Sequence, residues 1–284
     1  MATDLPAAPE VDLEAYLNRI GHAGDRSARP VPTRKVLDQI HFEHVCAVPF
    51  ENLDIHLGRT IRVDLPSVEA KLVTARRGGY CFEHNTLFAA VLDQLGFKQV
   101  VRLAARVRMN THRVLPRTHM LLSVECEGVT CMADVGFGGM GLLKPIPLVS
   151  GLTFEQHGQA FRLKREGAAW VLESVLNGAW TDLYVFTLEP QHAIDYEMAN
   201  HYTSTFPASR FVHTLTVQSR HPELRQTLHN HDLEVVRDGQ ATRRTVQSDE
   251  ELLVVLAENF GLHFPPGTQF RSPLETRVDP TKFV

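Results

Sequence analysis

His119-Met-Leu-Leu-Ser-Val-Glu-Cys-Glu-Gly-Val-Thr-Cys-Met-Ala-Asp-Val135 reads as two short strands joined by Glu127-Gly128. A two-residue hairpin turn sets Met120 opposite Val135, Leu122 opposite Ala133, Val124 opposite Cys131 and Cys126 opposite Val129. That face is wholly apolar, and a one-residue slip would scatter it. The other face carries His119, Leu121, Ser123 and Glu125 against Gly136, Asp134, Met132 and Thr130. His119 and Asp134 are diagonal neighbours there, about 7–8 Å apart at Cα, within reach of an imidazole–carboxylate hydrogen bond.

Short alternating runs continue on both sides of this hairpin. Val100 to Val107, Ala160 to Leu163 and Trp170 to Ser174 are separated by Gly, Pro or Asn, which suggests a barrel or a sandwich. Upstream the period changes to that of helices. Leu13, Tyr16, Leu17 and Ile20 lie at helical spacing, with Gly21 as a C-terminal cap. Further helices are expected over Thr33 to Val45, over Val68 to Val73 behind Ser67, and from about Phe82 to Leu95 ahead of Gly96. The last third mixes strands (Phe211 to Gln218, Asp232 to Arg237) with a helix introduced by the capping box of Ser248 and Glu251.

The chain has 284 residues, 43% hydrophobic and 22% charged. At roughly 150 residues per domain that suggests about two folding units. A formal net charge of −4 offers no basic field for a nucleic-acid backbone, so no nucleic-acid partner is expected. No apolar run is long enough to span a membrane, and the acidic, Pro/Ala-rich stretch from Met1 to Val11 lacks a signal-peptide pattern. The expected compartment is the cytoplasm. Four cysteines and fifteen histidines leave thiol catalysis and a metal site both open.

Arg76-Arg-Gly-Gly-Tyr-Cys-Phe-Glu-His-Asn85 favours the thiol. Cys81 stands where a helix begins, and free N–H groups and the helix dipole there favour an anion. Thiolate is the nucleophilic form of cysteine, and the same N–H groups are placed to receive a tetrahedral oxyanion. Gly78 and Gly79 are expected to leave room for substrate. A free cysteine is also an ordinary small buried hydrophobe, and that reading stands beside the catalytic one. A nucleophilic Cys81 needs a base and an orienting group, and His119 and Asp134 can supply both. Cys126 and Cys131 fall on the apolar hairpin face and read as core thiols.

These residues resemble those of the arylamine N-acetyltransferases. The likeness covers nearly the whole chain: Tyr16-Leu-x-Arg-Ile-Gly21, Val48-Pro-Phe-Glu-Asn-Leu53, Arg77-Gly-Gly-x-Cys81, Thr118-His119-Met, Asp134-Val-Gly-Phe-Gly138 and Ser204-Thr-Phe-Pro-x-Ser209. The resemblance implies an α+β fold with a cysteine-protease-like Cys-His-Asp core. Residues 1–96 would be a helical bundle carrying Cys81, 97–208 a β-barrel carrying His119 and Asp134, and 209–284 an α/β lid. It implies a Cys81–His119–Asp134 triad that moves acetyl from acetyl-CoA to an arylamine or arylhydrazine by a ping-pong cycle. It further implies an acceptor pocket at Phe50, Val107 and Phe137, and CoA passing the glycines Gly138 and Gly139. Arg77 would be structural, paired with Glu51, or else solvated beside Arg76. Where the family most often has His before Pro207, this chain has Phe206, which bears on acceptor preference.

Gly136-Phe-Gly-Gly-Met-Gly141 matches a dinucleotide fingerprint, but Leu-Leu-Lys-Pro-Ile-Pro147 after it cannot open the required helix. His41-x-x-His44 and His229-x-His231-Asp232 fall short of a metal site in ligand number and spacing, and no metal is expected. Arg210, Arg220 and Arg225 fit either CoA phosphates or an ordinary solvated surface. The same triad order also serves amide hydrolases and transglutaminase-like enzymes, and a non-catalytic binding module is the third alternative. The sequence leaves the physiological amine, the acyl-chain preference and the oligomeric state open.

Overall fold

The computed structural model describes residues 10–24, 30–109, 111 and 113–274; most of the acidic N-terminal stretch lies outside them. Asp12 caps α1 (Leu13–Arg19) by accepting the Ala15 amide at 2.9 Å, and Thr33 caps α2 (Arg34–Ala47) through Val36. A two-residue strand, β1 (Phe50–Glu51), and a single turn, α3 (Leu53–His56), follow. The third expected helix begins earlier than Ser67. Its cap is Asp64, which accepts from Ser67 N, and α4 (Leu65–Glu69) runs on into a π-helical turn over Ala70–Thr74. α5 (Cys81–Leu95) starts on Cys81 itself and ends at Gly96, whose φ of 88° is the left-handed conformation of a helix C-cap.

Eight strands come next: β2 (Lys98–Val107), β3 (His119–Cys126), β4 (Val129–Ala133), β5 (Ile146–Pro147), β6 (Thr153–Gln156), β7 (Gln159–Glu166), β8 (Ala169–Leu176) and β9 (Ala179–Phe186). They form one sheet in the order β5-β4-β3-β2-β9-β8-β7-β6. Its two edges meet at Gln156, whose amide side chain bonds Leu143 N, Lys144 N and Lys144 O across the gap, so the sheet is a nearly closed barrel. The β3–β4 register pairs Leu122 with Ala133, Val124 with Cys131 and Cys126 with Val129, as the alternation requires. Positive φ at Glu127 (51°) and Gly128 (79°) gives the tight turn that suits the strand twist.

Both faces of that hairpin are covered, for different reasons. The apolar face (Met120, Leu122, Val124) packs with Leu87, Phe88 and Val91 of α5 in the core of the helical part. The other face turns Leu121 and Met132 into the barrel interior beside Leu163, Leu172 and Tyr184.

After the barrel come α6 (Ala193–Thr205), α7 (Arg210–His213), β10 (Thr216–Arg220), β11 (Leu224–His229), β12 (Asp232–Arg237), β13 (Gln240–Thr245) and α8 (Asp249–Phe260). The expected strand from Phe211 to Gln218 is therefore half helix. Phe211 and Val212 lie on a helical turn that packs against the core of the helical part, and pairing begins only at Thr216. Phe211, Leu215 and Val217 lie at even spacing, and that imitates a strand through the whole stretch. β1 joins this second sheet, in the order β1-β10-β11-β12-β13, so the lid is stitched to the helical part through Phe50 and Glu51. Leu252, Val255 and Leu256 of α8 bury against Val217, Leu228 and Leu233 of that sheet.

Candidate active site

Three chain segments converge where the helical part, the barrel and the lid meet. Cys81 is the first residue of α5, His119 the first of β3, and Asp134 the residue just after β4. All three are buried. His119 Nε2–H donates to Asp134 Oδ2 at 2.7 Å, which leaves the other ring nitrogen uncommitted, and the Cys81 thiol is among the groups whose charge acts on the ring. Cys81 Sγ also lies 3.5 Å from the Thr118 carbonyl. Burial alone would lower the His119 pKa, but the Asp134 charge and its hydrogen bond, with Cys81, raise it to about 10. Burial works the other way on Asp134. The His119 charge outweighs it and holds the carboxyl below its ordinary value.

Asp134 has four donors around its two oxygens. Oδ2 accepts from His119 and from the Tyr184 hydroxyl (2.8 Å); Oδ1 accepts from Asn85 Nδ2 (3.1 Å) and Gly136 N (2.9 Å). The backbone is held as well: Asp134 N–H donates to His41 Nε2 (3.2 Å), and His41 Nδ1–H donates to Leu143 O (3.0 Å). Burial lowers the His41 pKa to about 4, so the ring is neutral and suited to one donor and one acceptor role.

Sequence reasoning missed Tyr184, Asn85 and His41. Asn85 lies one helical turn after Cys81 and shares its face, a signal that was available. Tyr184 lies on β9, a strand without a marked alternation. His41 belongs to the metal pair considered above, but its partner His44 points elsewhere. Tyr16 OH donates to His44 Nδ1, and His44 Nε2 donates to His84 Nδ1.

The two glycines before Cys81 make no room for a substrate. A Cβ on Gly78 would lie 2.1 Å from the Pro49 carbonyl oxygen, and one on Gly79 would lie 2.7 Å from Glu83 Oε2. They let the chain pass over a buried ion cluster instead. Arg77 pairs with Glu51 at 2.6 Å, and Lys71 bridges Asp54 and Glu83, each at 2.7 Å. Glu83 Oε2 also accepts the Tyr80 amide, so one of the donors expected to face an anion at this helix start is already used. Burial raises the Glu83 pKa to about 7, the Lys71 charge opposing it.

The pocket residues distribute unevenly. The Phe137 ring stands edge-on to His119 (centroids 5.1 Å apart) and against Tyr184 (4.9 Å). Val107 pairs with Tyr184 and therefore shares the barrel face of Tyr184, Ala105 and His119. Phe50 stacks near His84 and Phe211 and lies beside Gly138. Phe206 ends α6, 44% exposed, with its ring stacked on Tyr202.

The loop from Gly136 to Gly141 leads away from the triad. A Cβ on Gly136 would lie 2.7 Å from Cys81 Cα, so the loop begins against the Cys81 backbone. Gly139 and Met140 form one wall of a cleft of about 900 Å³ between the barrel and the lid, whose other walls include Arg210, Gln218, Arg220 and Arg225. Among the described residues none of these three arginines has a carboxylate partner; Arg210 is exposed as a solvated surface residue would be, Arg225 is half-buried and Arg220 is buried. Among those residues, too, no helix is long and apolar enough to cross a membrane.

A family model described as N-acetyltransferase matches residues 33–268. An arylamine N-acetyltransferase from Escherichia coli is 41% identical over 253 residues, 88% of each chain. The crystal structure of the Nocardia farcinica arylamine N-acetyltransferase superposes with a TM-score of 0.83 at 40% identity, covering 92% of this chain and 94% of that one. The Mycobacterium marinum arylamine N-acetyltransferase solved in complex with CoA superposes with a TM-score of 0.81 at 32% identity, covering 88% of this chain and 92% of that one. A barrel packed on helices and a lid, matched over nearly its whole length by these proteins, places the chain in the arylamine N-acetyltransferase family.

Proposed function

We propose that Cys81 carries the acetyl group between acetyl-CoA and an arylamine or arylhydrazine. The Cys81 thiolate adds to the thioester carbonyl, the tetrahedral intermediate collapses, and the C–S bond to CoA breaks. His119, charged while paired with the thiolate, gives its proton to the departing CoA sulfur. The amine nitrogen then adds to acetyl-Cys81, His119 takes the amine proton, and the thiolate leaves to restore the starting state. Asp134 stays ionised throughout; it fixes the ring and stabilises the imidazolium. Phe137, Val107 and Phe50 offer flat apolar walls for an aromatic acceptor. Gly138 and Gly139 border the path of the donor into the cleft, where three arginines without carboxylate partners among the described residues suit phosphates. The relative with CoA bound supports that choice of donor.

The observation that carries this reading is the Asp134–His119 hydrogen bond with Cys81 acting on the same ring, and with every Asp134 oxygen occupied. Initial velocities at several concentrations of acetyl-CoA and of an arylamine test it. A ping-pong cycle gives parallel double-reciprocal lines; intersecting lines mean that both substrates must bind before transfer, which contradicts a free acetyl-enzyme.

A further inference from the structure

Arg220 stands out among the side chains that the relay does not use. It lies on β10 with 6% of its surface exposed; the charged or ionisable groups that act on it are Arg225 and the Cys46 thiol, and its guanidinium lies over the Phe161 ring at 5.8 Å. A guanidinium buried beside another cation and without a carboxylate is costly unless something else answers its charge. Burial and Arg225 accordingly hold its pKa down, to about 10. Part of its hydrogen-bonding capacity is committed: Nη1 donates to the Gly139 carbonyl at 3.3 Å and also to the Gly141 carbonyl. Its neighbour Gln218 accepts the Gly139 amide at 2.8 Å. Nε and Nη2 make no hydrogen bond among the described residues, yet they are not sealed in, because Arg220 lines the cleft.

The loop held in this way starts at Cys81. Gly136 touches the Cys81 backbone and donates its amide to Asp134, Phe137 covers His119, and Gly139 to Gly141 hang on Arg220. A single side chain thus reaches the cleft at one end and, through six residues of loop, the relay at the other.

We infer that Arg220 joins the two halves of the site: one edge of its guanidinium positions the Gly136–Gly141 loop, and the other receives a phosphate oxygen of the ligand in the cleft. Arg220 is a positioning residue for the triad and a specificity residue for the donor. The inference rests on the reading of acetyl-CoA as donor, whose phosphate oxygens belong to a pyrophosphate and to a ribose phosphate. A planar fork with several donors suits either one.

Comparing donors tests this. 4-Nitrophenyl acetate delivers acetyl without any phosphate, and 3′-dephospho-acetyl-CoA keeps only the pyrophosphate. With Arg220→Gln, KM for acetyl-CoA should rise about tenfold or more, the loss expected when a buried charge partner is truncated. KM for 4-nitrophenyl acetate should stay within about twofold, while kcat falls with both donors because the loop has lost its anchor. Arg220→Lys, which keeps the charge, should recover part of the KM for acetyl-CoA. A defect that persists with 3′-dephospho-acetyl-CoA assigns Arg220 to the pyrophosphate; one that disappears assigns it to the ribose phosphate. Equal KM changes with acetyl-CoA and 4-nitrophenyl acetate, or none with acetyl-CoA, overturn the inference.

If Arg220→Gln does not fold, the unaltered enzyme still decides. Inorganic pyrophosphate should compete with acetyl-CoA and not with 4-nitrophenyl acetate, and failure to compete with acetyl-CoA removes the anion role. Should Cys81 take acetyl from neither donor, the Cys81 reading fails. Calorimetric pyrophosphate binding to the unaltered enzyme and to Arg220→Lys then tests Arg220 separately, and no binding overturns it.

Discussion

At the scale of single residues the site is organised around Asp134 rather than around the thiol. A buried carboxylate keeps its charge only if its oxygens are answered, and here four donors answer them. Tyr184→Phe removes one donor and little volume. We expect it to fold, to lose about 1.5–3 kcal/mol of stability as for a hydrogen bond to a charged group, and to acetylate more slowly. Stopped-flow acetylation and urea unfolding check this, and unchanged values in both would make the Tyr184 bond incidental. Asp134→Ala goes further, because it leaves a buried imidazolium unpaired. Its expected cost is about 3–5 kcal/mol, read from the unfolding midpoint, together with loss of activity.

How much of this was legible follows from how local each signal is. Cys81, His119 and Asp134 could be read from a helix start and a two-residue turn, because register transmits position along a hairpin. Tyr184 reaches Asp134 only through barrel closure, across 50 residues of sequence, and nothing around Tyr184 encodes that distance. Arg220 was legible as a basic residue, but its bonds to Gly139 and Gly141 depend on how the lid docks.

At the scale of elements, the decisive piece is the loop after β4. The literal G-x-G-x-x-G there is not a nucleotide turn; its glycines exist because other chain segments press on them. Gly136 meets Cys81, and a Cβ on Gly138 would lie 2.2 Å from Gln218 Oε1 at a φ of +81°. Gly136→Ala must therefore push the loop off α5. We expect at least a tenfold fall in kcat/KM, on the order of 1.4 kcal/mol, with the chain still folded. Full activity in Gly136→Ala would show that the loop is free to move without consequence. The stretch after α6 teaches the reverse lesson. Phe211 falls in the even spacing of Leu215 and Val217, yet it and Val212 form a helical turn, since the core of the helical part, and not the sheet, takes their side chains. Gly78 and Gly79 likewise looked like space for substrate and proved to be clearance over Pro49 and Glu83.

At the scale of the whole molecule the buried histidines make stability depend on pH from both sides. Burial depresses the pKa values of His41 and His84 to about 4. Unfolding frees these rings to take protons, so stability falls as pH drops below 6.5 towards 4. A shift of this size corresponds to roughly 3 kcal/mol per ring at the acid end. His119 acts in the opposite sense. Its pKa is raised to about 10, so its pairing contributes fully below pH 6.5 and is lost as pH climbs through 10. The unfolding temperature should therefore drop between pH 6.5 and 5, above the range in which most carboxylates titrate. A flat profile over that interval contradicts the neutral buried rings.

The helical part, the barrel and the lid matter together because each borders one site: Cys81 comes from the first, His119 and Asp134 from the second, and a cleft wall from the third. Transfer through this site requires that Cys81 itself take the acetyl group. Incubation of the whole protein with acetyl-CoA, followed by intact-mass measurement and peptide mapping, should show one added acetyl group on Cys81 and none in Cys81→Ala. A folded protein that gains no acetyl group, or a Cys81→Ala variant that gains one, would contradict it.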